Sequence, residues 1–86
     1  MPKICSFLGI SIYMYYDEHN PPHFHAEYSG QDSIFIINPL EYSKGNLSPR
    51  IVGLVMEWAT IHKNELLDNW KVLKENGKCK NIKPLV

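Results

Sequence analysis

The stretch "HFHAEYSGQDSIFII", residues 23–37, decides how this chain folds. His23, His25 and Glu27 alternate with Phe24, Ala26 and Tyr28, which is the two-residue period of a strand. "SGQD" supplies turn residues, and "SIFII" resumes as β-branched and aromatic chain. The stretch therefore reads as two antiparallel strands. Working back toward the N-terminus, Pro21-Pro22 cannot sit in a central strand, so "DEHNPP" is a connection. Before it, "ISIYMYY" (residues 10–16) alternates again, and Leu8-Gly9 can turn it back onto "KICSF". Working forward, Asn38-Pro39 ends the last strand, and "LEY" can add a short extended piece. Residues 1–47 are expected to form an antiparallel meander of about four strands.

The rest of the chain has a different period. Ser48-Pro49 is an N-cap followed by proline at the first helical position, where no backbone donor is needed. Asn76-Gly77 supplies a stop. Between them Ile51, Val55, Trp58, His62, Leu66, Trp70 and Leu73 recur at spacings of three and four. That is one apolar stripe on a single long helix, or on two helices broken near Lys63-Asn64. The expectation is one α+β domain, 1–86, with strands over 1–47, helix over 48–76 and an extended tail over 77–86.

The first helical turns carry more apolar surface than a small sheet can cover. At 100° per residue, Val52, Leu54, Val55, Met56, Trp58, Ala59 and Ile61 spread over roughly 240°, where a surface helix buries a stripe of about 100°. Either the tail covers the excess or a partner does: a second copy, or a cognate small protein. Leu54, Trp58 and Ile61, with Ile82 and Leu85 of the tail, are the candidate interface.

Composition bounds the remaining readings. The 86 residues carry nine basic and nine acidic side chains, so net charge is zero. Residues 1–47 hold two lysines against five carboxylates, whereas residues 48–86 lean basic. A neutral chain gives weak support to nucleic-acid binding. Cys5 and Cys79 form neither a disulfide framework nor a zinc spacing, and no apolar run is long enough for a membrane span. The expected location is the cytoplasm. Arg50, behind the helix start, is read as a solvated cation, and His62, on the apolar stripe, as a satisfied core histidine.

The histidines carry the candidate chemistry. On a strand, His23, His25 and Glu27 project together, and His19 can fold over them across the stiff Pro21-Pro22 turn, with Asp17 beside it. Imidazoles with a carboxylate suit a divalent transition metal such as zinc, iron, nickel or manganese. The same histidines could act without metal as an acid–base pair, for example on a phosphodiester. They could also be structural, bonding the carbonyls of the proline turn. The residues leave these three readings open.

The sequence resembles a family of small bacterial proteins known as domain of unknown function 4160. The likeness rests on "MPKICSFLGISIYMYYDEHNPPHFHAEYSG", "GNLSPR", "EWATIHKNELLDNW" and "IKPL". It implies a compact α+β domain from a bacterial cytoplasm, often encoded beside a second small protein in arrangements like toxin–antitoxin pairs. The family pattern maps onto His19, His23, His25, Trp58, His62, Leu66, Leu67 and Trp70, and no established activity comes with it. The strand-to-helix loop "NPLEYSKGN" departs from the family's commoner Gly- and Glu-rich loop. Two functions are therefore expected: first an interaction module, and as the alternative a metal-dependent hydrolase or ribonuclease-like enzyme using His23 and His25.

Overall fold

A computed structural model describes residues 3–15 and 19–86. Five strands precede two helices: β1 (Lys3–Phe7), β2 (Ile10–Tyr13), β3 (His23–Tyr28), β4 (Gln31–Ile37), β5 (Leu40–Lys44), α1 (Pro49–Ile61) and α2 (Lys63–Asn76). The strands form one antiparallel sheet in the order β1-β2-β3-β4-β5. The fold is α+β as expected, with one strand more than four. The "LEY" piece is that strand: Leu40 pairs with Ile37 across Asn38-Pro39, and Tyr42 pairs with Phe35.

Two-residue turns set the register of the meander. Leu8 and Gly9 have φ of 50° and 79°, and Ser29 and Gly30 have 53° and 79°. Positive φ at both central residues is what a type I′ hairpin turn requires, and its twist matches that of the strands. The Ser29-Gly30 turn places Tyr28 opposite Gln31, Phe24 opposite Phe35, and His25 opposite Ile34.

The core lies on the sheet face that bears Ile10, Ile12, Phe24, Ala26, Phe35 and Ile37, all fully buried. Phe24 and Phe35 stack across the strands at 5.3 Å. Trp58 of α1 drops onto Phe24 edge-on at 5.8 Å, and Phe7 flanks it at 5.8 Å. The predicted helical stripe is the buried one: Ile51, Val55, Trp58, Leu66, Trp70 and Leu73 are all inside.

The helical segment breaks at His62, one residue before the expected place. Ser48 caps α1 by accepting from the Ile51 N–H, with Pro49 at the first position. His62 then has non-helical dihedrals (φ −109°, ψ 22°) and serves both helices: its N–H donates to the Trp58 carbonyl, and its carbonyl accepts from Leu66. Its Nδ1 lies 2.6 Å from Glu65 Oε1, and its ring rests near Trp58. It is thus a satisfied, half-buried histidine at a helix junction. Gly77, with φ 77°, closes α2 in the left-handed conformation.

The tail folds back. Ile82 N–H donates to the Ile4 carbonyl at 2.8 Å, which extends the sheet past β1 at one point. Trp58 Nε1–H donates to the Lys83 carbonyl at 2.8 Å. Asn69 clasps Lys80 twice: its amide donates to the carbonyl and its Oδ1 accepts from the N–H. The excess apolar arc of α1 is therefore covered in part within the chain, with Val52, Leu54 and Met56 half-buried against the core. Trp58 and Ile82, expected at an interface, lie in the core; Leu54 and Leu85 are half-buried against it, and only Ile61 stands out, at 63% exposed. Because Asn69 is buried and fully paired, Asn69→Ala should cost about 1–3 kcal/mol. Urea unfolding would show it, with proteolysis first within residues 78–86.

One glycine is required by close packing. Gly45 has φ +136°, and a Cβ there would sit 2.6 Å from Ser33 Cβ and 2.9 Å from the Tyr42 hydroxyl. Ser33 is held in turn by its bond to the Ala26 carbonyl, and the Tyr42 hydroxyl accepts from the Leu47 N–H. These contacts pin the crossing from β5 to α1 against the sheet.

Candidate functional site

Strand alternation puts His23, His25 and Glu27 on the face opposite the core, as the sequence predicts. Register adds their neighbours: Tyr13 and Ile34 flank His25, Ile36 lies beside His23, and Ser11 and Asp32 flank Glu27. His25 is 9% exposed, His23 is half-buried and Glu27 is exposed.

Both histidine rings are anchored through Nδ1. His25 Nδ1–H donates to Asp32 Oδ2 at 3.0 Å, diagonally across the β3–β4 pair. His23 Nδ1–H donates to the Pro21 carbonyl at 2.8 Å. A carbonyl and an ionised carboxylate can only accept, so in each of these bonds the ring Nδ1–H is the donor.

The rings belong to an aromatic ladder. Tyr13 stacks on Tyr15 at 6.1 Å, and Tyr15 meets His25 edge-on at 4.7 Å. His25 and His23 lie 5.5 Å apart, and His23 meets Trp70 of α2 at 5.1 Å. Lys74 Nζ sits 4.6 Å over the Trp70 ring. α2 thereby reaches the His23 end of β3 and holds that ring from the helical side. Beside it is a hollow of about 310 Å³ lined by His19, Asn20, Pro21, His23, Ile34, Ile36 and Ser43.

The expected set is thus brought together in part. His23 and His25 are neighbours, and His19 shares the hollow with His23. Glu27 is not grouped with them, and among the described residues no three His, Cys, Asp or Glu side chains are placed to share a metal ion. Asp17 lies outside the described residues. Asp32 and Tyr15 were not singled out as site residues by sequence. A strict two-residue turn at Ser29-Gly30 would have found Asp32, because it fixes the diagonal to His25. The cysteines stay apart from the site as free thiols, and burial pushes both above their ordinary pKa.

Fold and site together define a small α+β protein with a histidine pair on the outer face of its sheet. The chain belongs to the family described as Domain of unknown function (DUF4160), which matches residues 9–71, from the start of β2 into α2. The match includes both histidines, Asp32 and Trp70. Comparison with curated proteins found no match, nor did comparison with solved structures. No helix among the described residues is long and apolar enough to cross a membrane.

Proposed function

We propose that this protein is an interaction module, one of a pair of small proteins, which meets its partner on the outer face of the sheet. The observation that carries this reading is β4, which is apolar on both sides. Phe35 and Ile37 fill the core, while Ile34 and Ile36 lie on the opposite face of the sheet, beside the histidines, and are only half-buried. An antiparallel sheet with one solvated face ordinarily puts polar residues there. Tyr13, Tyr15 and the walls of the hollow continue the apolar surface. Around it Glu27, Asp32 and Glu41 are exposed on the same face, against Lys3 and Lys44. This charge pattern fits a basic small protein, of the kind a toxin–antitoxin-like gene pair would supply, better than nucleic acid.

The pair Ile34→Glu/Ile36→Glu tests the reading. The variant should fold, because both side chains are half-exposed, and it should lose co-purification with the small protein encoded beside it. Ile61→Glu, at the exposed end of α1, should bind as the parent does. Capture that survives the sheet variant and is lost in the Ile61 variant would move the interface to the helix and end this proposal.

A hydrolase is the second reading, favoured by the His25–Asp32 pair. A carboxylate on Nδ1 orients an imidazole for proton transfer at Nε2. RNA cleavage by the parent, absent in His23→Ala/His25→Ala, is the expected result; equal cleavage by both would remove this reading.

A further inference from the structure

We propose that two copies of this chain pair through β5, edge to edge and antiparallel, so that their two sheets continue as one. This pairing stands apart from the reading of the outer face as a partner surface.

Sheet order leaves β1 and β5 at the edges. An edge strand presents a row of unpaired N–H and C=O groups to whatever comes beside it. The two edges are finished differently. The returning tail meets β1, where Ile82 N–H donates to the Ile4 carbonyl. Among the described residues, no backbone hydrogen bond reaches β5 besides its ladder with β4.

Charge decides what can add there. Glu41 stands opposite Ile36, Tyr42 opposite Phe35 and Lys44 opposite Ile34, so Ser43 is an extra residue in the strand. Residues three apart on a regular strand point to opposite faces. The bulge at Ser43 instead puts Glu41 and Lys44 on one face, the outer one, and Ser43 lines the hollow there. All three side chains are exposed, so they can be approached without unpacking the core.

A lysine or a bulge on an edge ordinarily deters a second strand. Here the edge carries both signs. Antiparallel pairing about a two-fold axis at Tyr42 sets Glu41 of one copy opposite the Ser43–Lys44 bulge of the other. Carboxylate then meets ammonium, and symmetry makes the contact twice. Pairing centred on Glu41 would oppose two carboxylates, so charge selects the register as well as the occupant. With the axis perpendicular to the sheet, both outer faces lie on one side of the dimer and both helical layers on the other. A five-residue edge is a small interface, which places the dimer in the weak, transient class.

The experiment is sedimentation equilibrium of the untagged chain from about 10 µM to about 1 mM. A reversible monomer–dimer equilibrium is expected. Glu41→Lys and Lys44→Glu each turn an unlike pair into a like one, and each should weaken dimerisation about 10-fold or more. Glu41→Lys/Lys44→Glu together should restore it. Ile61→Glu, at the exposed end of α1, should dimerise as the parent does. A monomer at every concentration overturns the proposal. So does a dimer untouched by either single reversal, one that the double reversal fails to restore, or one lost in Ile61→Glu.

Discussion

Trp58→Ala should cost about 3–5 kcal/mol of unfolding free energy, the usual range for truncating a buried aromatic. That is a large part of the about 5–15 kcal/mol a domain holds altogether. Trp58 is 0% exposed and touches Phe7, Phe24 and His62, so it joins β1, β3 and the helix junction in one contact. Its indole N–H also holds the Lys83 carbonyl. The variant therefore empties the middle of the core and lets go of the tail at once. Trp58→Phe separates the two effects: it keeps an aromatic ring and drops the hydrogen bond, for a loss nearer 1 kcal/mol. Urea unfolding followed by far-UV circular dichroism reads both. An unchanged midpoint for Trp58→Ala would mean that helix, sheet and tail do not meet at this side chain.

The second large effect is expected at a residue with no side chain. Gly45→Ala has to place a Cβ 2.6 Å from that of Ser33, on a backbone with φ +136°. Strained backbone of this kind costs about 1–3 kcal/mol for a side-chain-bearing residue, and overpacking adds about 1–3 kcal/mol. Gly30→Ala is the control, since Gly30 also has positive φ (+79°) but no atom within 4 Å of an added Cβ. Gly45→Ala should lose clearly more than Gly30→Ala in the same denaturation. Equal losses would show that the loop does not press on Ser33.

Much of this architecture was legible in the chain because burial imposes a period. The alternation in "HFHAEY" separates Phe24 and Ala26 from His23 and His25, and the three-to-four spacing from Ile51 to Leu73 marks the buried side of both helices. What escaped depended on geometry at a distance. Pro39 left "LEY" as only an optional extended piece, whereas a two-residue turn around it lets Leu40 pair with Ile37 as a full fifth strand. The wide apolar arc of α1 left the tail and a partner both open as its cover, because nothing local says that residues 80–83 return toward it. Asp32 was missed for a related reason: its tie to His25 crosses a hairpin, and the register of a hairpin depends on whether the turn has two residues or four. Trp70 against His23 joins a helix to a strand 47 positions earlier, which no local pattern encodes.

The return of residues 80–83 also sets an order of events during synthesis. Ile4 is made well before Ile82, and its carbonyl waits for the N–H of Ile82. A ribosome that still holds Ile82 and Lys83 in its exit tunnel holds partners that Ile4 and Trp58 need. The meander can emerge and begin to pair its strands, but Trp58 stays uncapped until Lys83 has come out. Full cooperativity can therefore arise only after that point. A nascent chain stalled short of it should be the form most in need of a chaperone.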